Sequence, residues 1–226
     1  MISRRKNVKN LCLWGILVAV IWLSSTYVTA EPPDDKIRMS REKIEGSRFD
    51  RFTGIVRIQA PMQAFKDLVY DVDTYPQWLH GCRETHVLKG EMSDHRLYIY
   101  FIYAAPDLPW YLFMAPRPKK RDMVLRLEWE EDPATGRLTV MLMNVDPQKE
   151  PDLEDIKIPS DPDLVTVTQI SVLWEFTPGA DDTVMVTHTL YIDPNHKGED
   201  LGIINRYAKS LVEESLKNVR NRLPVR

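Results

Sequence analysis

Apolar and polar positions along the chain change period several times, and each change marks an element. Gly54 to Ala60, GIVRIQA, predicts a short strand. Pro61 follows and suits a first helical turn, where its missing N–H costs nothing. Phe65, Leu68, Val69 and Val72 then recur at i, i+3, i+4 and i+7, one apolar face of a helix that Pro76 is expected to end. After Trp78 the period is two. Glu84 to Lys89 and Asp94 to Tyr103 predict strands around the turn Gly90 to Ser93. In Arg121 to Glu131, Met123, Leu125, Leu127 and Trp129 alternate with Arg126, Glu128 and Glu130, the pattern of a half-buried strand. Leu138 to Val145, Val165 to Phe176 and Thr183 to Ile192 complete the strand set. Leu201, Ile204, Ala208, Leu211 and Val219 form one stripe of a long C-terminal helix. Strands grouped between helices predict an α+β fold with a curved antiparallel sheet around the last helix.

Two stretches lack such periodicity. Glu31 to Arg48 is polar, opens on Pro32-Pro33 and predicts a linker before a domain at 49–222. Asp146 to Asp163 carries four prolines and many acids, and predicts a long surface loop able to act as a lid.

The first 30 residues run in a different order. Arg4, Arg5, Lys6 and Lys9 precede the apolar run Leu11 to Leu23, and Val28-Thr29-Ala30 closes a small polar stretch. This is the order of a secretory signal cleaved after Ala30. Export, to the periplasm, is the expectation. The alternative is an uncleaved anchor in the inner membrane. Removing these residues takes the net charge from −3 to −7, which argues against nucleic acid as a partner. Only Cys82 then remains, so no intramolecular disulfide can form.

The stretch VYDVDTYPQW, Val69 to Trp78, raises the question of a catalytic acid pair. Asp71 and Asp73 are two apart and do not share a helical face, so a helix-end turn is the expected role. His80, Cys82 and His86 lack a fourth ligand and a metal-site spacing. No metal or cofactor is expected. His188 stands in the otherwise apolar row Val184, Val186, Leu190, Ile192, and so faces inward.

The order of elements and a series of local marks resemble the START domain, the lipid-binding module of the Bet v 1-like and polyketide cyclase-like superfamily. The marks are Pro61 after V-x-I-x-A, then Asp71, Tyr75, Pro76 and Trp78. Arg121-Asp122 opens a strand, Trp174 precedes a Pro-Gly turn, and Asp193-Pro194 precedes the last helix. Asn195 to Glu199 departs from the family pattern, as does the apolar insertion Trp110 to Met114. The resemblance implies a helix-grip fold with an internal apolar cavity that holds a lipid or other apolar molecule, and no enzyme activity. It implies ligand contact by Trp78, Tyr100, Tyr103, Arg121, Asp122, Trp129, Trp174 and His188. Trp110, Leu112, Phe113 and Met114, followed by Arg117, Lys119 and Lys120, are the candidate membrane lip, giving transient membrane contact. A cyclase or aromatase on the same fold, or an anchored sensing module, are the alternative functions.

Overall fold

The alternation around Gly54 begins earlier than expected. In the computed structural model, which describes residues 36–105, 119–159, 161–193 and 201–223, strand β2 runs Asp50–Gln59 with buried and half-buried positions alternating. It is preceded by β1, Arg38–Lys43, which pairs with it antiparallel. The expectation of a linker throughout 31–48 is therefore corrected for this stretch. All but one of the β1 side chains are exposed, so the strand carries no apolar alternation to betray it.

Helix α1 spans Met62–Tyr70 and buries Phe65, Leu68 and Val69. It ends before Pro76, because Asp71 leaves helical geometry at φ −91 and ψ 79. A single 3-10 turn follows, and Pro76 then sits in the first turn of a short α2, Tyr75–Trp78. The bend turns Tyr75 inward, where its hydroxyl donates to Val69 O at 2.6 Å. Asp71 and Asp73 face solvent.

The remaining strands are β3 (Cys82–Lys89), β4 (Arg96–Tyr103), β5 (Arg121–Glu131), β6 (Leu138–Asn144), β7 (Val165–Thr166), β8 (Gln169–Pro178) and β9 (Thr183–Asp193). The stretch read as one strand from Val165 is two pieces. The short β7 pairs parallel with β5, whereas β8 joins the main ladder. Strand order is β1-β2-β9-β8-β6-β5-β4-β3, antiparallel throughout, with β1 and β3 at the edges. The β3 ladder is interrupted twice, between Cys82 and Glu84 and between Val87 and Lys89.

Helix α3, Leu201–Arg222, lies against β2 and β9 in the curve of this sheet. Its buried face runs Ile204, Ala208, Leu211, Val212, Ser215, Leu216 and Val219. Leu201, expected on that stripe, is 38% exposed at the helix start. The close approach needs Gly54. A Cβ there would lie 2.5 Å from Leu216 Cδ1 and 2.9 Å from Val212 Cγ1. This is the helix-grip arrangement that the sequence predicts. Among the described residues no helix is long and apolar enough to cross a membrane.

Candidate functional site

Adjacent residues on a strand point to opposite faces of the sheet, and that rule sorts the candidates. On β5, Arg121, Met123 and Leu125 face α3. Together with Leu142, Ile170, Val172, Leu190 and Ile192 they line a cavity closed on its other side by Leu79, His80, Tyr207, Leu211 and Ser215. Tyr103, Trp174 and His188 complete the lining. Four of the eight candidate ligand residues, Tyr103, Arg121, Trp174 and His188, are thus brought together.

The other four are placed elsewhere. Trp78 packs edge-on behind Trp174, with centroids 5.6 Å apart. Trp129 is on the inner face but against Tyr70 and His95. Tyr100 and Asp122 are on the outer face, and their expected place at the cavity is corrected. The Tyr100 hydroxyl donates to Asp122 Oδ2 at 3.0 Å, and the Thr166 hydroxyl to Oδ1 at 2.7 Å. Arg121 and Asp122 are consecutive on one strand, so they serve different compartments.

The 146–163 loop also belongs to that outer face. Leu153 is buried with Tyr98, Tyr100 and Val124, and Val145, Ile156 and Ile158 pack around them. Tyr98 donates from its hydroxyl toward Glu150 and Asp152, 3.0 and 2.9 Å away. Burial and these two carboxylates push the Tyr98 phenol up to about 12. The stretch is a strap behind the sheet, and the expectation of a lid over the cavity is corrected. Trp110, Leu112, Phe113 and Met114 lie outside the described residues, as do residues 1–30.

The free space inside the cavity is about 30 Å³, room for a water molecule or two. A ligand of lipid size needs several hundred Å³, far more than this cavity leaves free. An outer cleft of about 560 Å³ lies beside it. It is lined by Pro76, Gly81, Cys82, Arg83, Ala104, Lys120 and Asn218, and it shares Leu79, His80 and Tyr207 with the inner cavity. Those three side chains are the partition between the two spaces. The Tyr207 hydroxyl donates to Ala104 O at 2.8 Å, tying α3 to the end of β4. The His80 backbone N–H donates to Ser215 Oγ at 2.9 Å. Gly81, at φ +80, has Leu211 and Tyr207 within 3.0 Å of where a Cβ would stand.

The polar inventory of the cavity is small. Arg121 is 2% exposed and donates from Nη1 to Lys119 O at 2.6 Å. His188 is 3% exposed and stacks on Trp174. Burial drives the His188 pKa down to about 3, against an opposing contact with the Val212 backbone, so the ring is neutral at pH 7. Burial likewise pushes the Tyr103 phenol well up. Cys82, beside the outer cleft, is buried, and its thiol is pushed up to about 12. His86, grouped with it in the sequence, pairs with Glu84 at the surface.

Ser215, His80 and Tyr207 were not among the candidate ligand-contact residues, His80 having been weighed only for a metal. Ser215 had a legible signal, a small polar residue inside the apolar stripe of the last helix. His80 and Tyr207 had none, because their role depends on where α2 and α3 meet.

Residues 58–201 match the family model described as polyketide cyclase / dehydrase and lipid transport. An uncharacterized protein of Pseudomonas aeruginosa is 23% identical over 161 residues, 71% of this chain and 69% of that protein. A fragment of the STAR-related lipid transfer protein of Xanthomonas axonopodis has a similar structure, with a TM-score of 0.66 and 22% identity over 85% of this chain and 95% of that one. Human StAR-related lipid transfer protein 5 is similar in fold, with a TM-score of 0.65 and 11% identity over 93% and 94% of the two chains.

Proposed function

Because the chain belongs to the polyketide cyclase / dehydrase and lipid transport family, we propose that it takes up a lipid or other apolar small molecule beneath α3 and carries it through water. The observation that carries this reading is the cavity itself. Its wall is almost wholly apolar, and one thin partition separates it from an outer cleft. Binding would be driven by desolvation, at ~25 cal/mol per Å² of apolar surface removed from water. Uptake requires the partition of Leu79, His80 and Tyr207 to part and α3 to ease off the sheet.

The chemistry of the lining supports carriage over catalysis. The described lining residues include no carboxylate. His188, whose pKa is near 3, is a weak proton acceptor for work at neutral pH. The pattern of residues 1–30 supports export, to the periplasm, as part of the same proposal. Trp110, Leu112, Phe113 and Met114, with the cations that follow them, are proposed to touch the donor or acceptor membrane.

Native mass spectrometry tests this. The full chain is expressed, recovered from the compartment it reaches and sprayed intact, with lipid extraction in parallel. A discrete bound apolar mass on a chain beginning at Glu31 is expected. A bare mass that persists after incubation with mixed lipids would overturn carriage and return attention to cyclase chemistry.

A further inference from the structure

His188 is an unusual wall residue for a cavity of this kind. It is a histidine on the inner face of β9, in a row otherwise filled by Val184, Val186, Leu190 and Ile192. Its ring lies on Trp174, which fixes its plane. Its Nδ1 is buried and has no hydrogen-bond partner among the described residues. The Val212 backbone favours the protonated ring, which is the effect of a carbonyl accepting from a ring N–H. Because Nδ1 is the ring nitrogen left buried without a partner, we assign the N–H to Nε2 and a bare lone pair to Nδ1.

A neutral imidazole held in this way is an acceptor only. It can take a hydrogen bond from a hydroxyl or an amide N–H. It gives nothing to an ether, an ester carbonyl or a carboxylate. Arg121 is the cationic wall residue, beside the hydroxyls of Tyr103, Tyr207 and Ser215. It is next in sequence to Lys120, which lines the outer cleft, so it stands at the entrance end. The cavity therefore has a cationic donor on the strand end next to the outer cleft and a partnerless acceptor on β9.

Resting on the proposal that the cavity takes an apolar guest, we infer that this guest carries a neutral hydrogen-bond donor, a hydroxyl or an amide N–H, which it presents to His188 Nδ1. His188 is then a specificity-determining residue. It selects guests with a donor group over otherwise equal guests that have none, because a site built around a buried acceptor penalises whatever leaves it unpaired.

The test uses a matched pair of probes, dodecanol and dodecyl methyl ether, displacing the apolar fluorophore phenylnaphthylamine from the purified protein. Dodecanol is expected to bind about tenfold tighter than the ether. In His188→Phe, which keeps a ring on Trp174 and removes the acceptor, that preference falls to about one. A second measurement in the unaltered protein covers the case of a variant that does not fold. The Nδ1 nitrogen resonance of His188 should move toward that of a hydrogen-bonded acceptor when dodecanol is added and stay in place with the ether. Equal affinities for the two probes, or an unmoved resonance, overturn the role of His188 while apolar binding stands. Failure of the fluorophore and both probes to bind overturns the cavity reading and this inference with it.

Discussion

The His188 imidazole lies flat on the Trp174 indole, with ring centroids 3.7 Å apart and planes 9° from parallel. The pair is buried under α3, and that placement makes stability depend on pH. In the folded chain the His188 pKa is lowered from 6.5 to about 3. The unfolded chain therefore binds a proton that the folded chain does not as pH drops below 6.5. The contribution is complete above that value and is lost as pH falls toward 3, at up to about 1.4 kcal/mol per pH unit. Urea unfolding at pH 7 and pH 5.5 should show a pH dependence in the native sequence that is shallower in His188→Phe by roughly half a proton averaged over that interval. Identical slopes would contradict the buried neutral ring.

Asp122 is expected to matter for folding and not for binding. It accepts from Tyr100 and Thr166 on the outer face, and Asp122→Ala leaves the buried Tyr100 hydroxyl without its partner. The loss should be about 2–3 kcal/mol in urea unfolding. Displacement of an apolar fluorophore should be unchanged at a temperature where the variant is folded. A large change in affinity would place Asp122 at the cavity after all.

Much of the fold could be read from periodicity, and the exceptions have physical causes. The bounds of β5 are those the sequence predicts, because its alternation is clear on both faces. β1 was illegible, since an edge strand RMSREK whose one half-buried side chain is Met39 shows no apolar alternation. The break at Asp71 was hidden behind the more conspicuous Pro76, which is compatible with the start of α2. Among site residues, His188 was legible as a member of an inward row, whereas Trp174 was named only through the family resemblance. Asp122 was misplaced despite available evidence. If Arg121 faces the cavity, its neighbour on the strand must face away.

Gly54 governs how closely α3 sits on β2. A valine there meets Leu216 and Val212, and crowding of this kind costs about 1–3 kcal/mol. Gly54→Val should lower the urea midpoint accordingly. An unchanged midpoint would mean that α3 can shift without loss.

Tyr207 should act on exchange kinetics. Tyr207→Phe removes the hydrogen bond to Ala104 O, at about 1 kcal/mol, and loosens the partition. Stopped-flow uptake of the fluorophore is expected to accelerate several-fold. No change in rate would remove Tyr207 from the path of entry.

Trp110→Ser combined with Phe113→Ser should slow movement of a fluorescent lipid between vesicles, with the unfolding midpoint preserved. Transfer at the original rate would rule out the apolar lip.

The sheet is open, and β1 and β3 end it on either side. Exposed backbone at a strand edge can template a second chain and start aggregation. Here β1 offers Arg38, Arg41 and Lys43 to solvent, and β3 offers Arg83, His86 and Lys89. The two irregularities in the β3 ladder also bend that edge away from the flat geometry a neighbour would need. Both edges carry exposed charges of either sign, Glu42 and Glu84 among them, which a second strand would have to desolvate to pair there. If the walls part to admit an apolar guest as proposed, apolar surface is exposed at each opening, and an edge that disfavours pairing limits what that exposure can start.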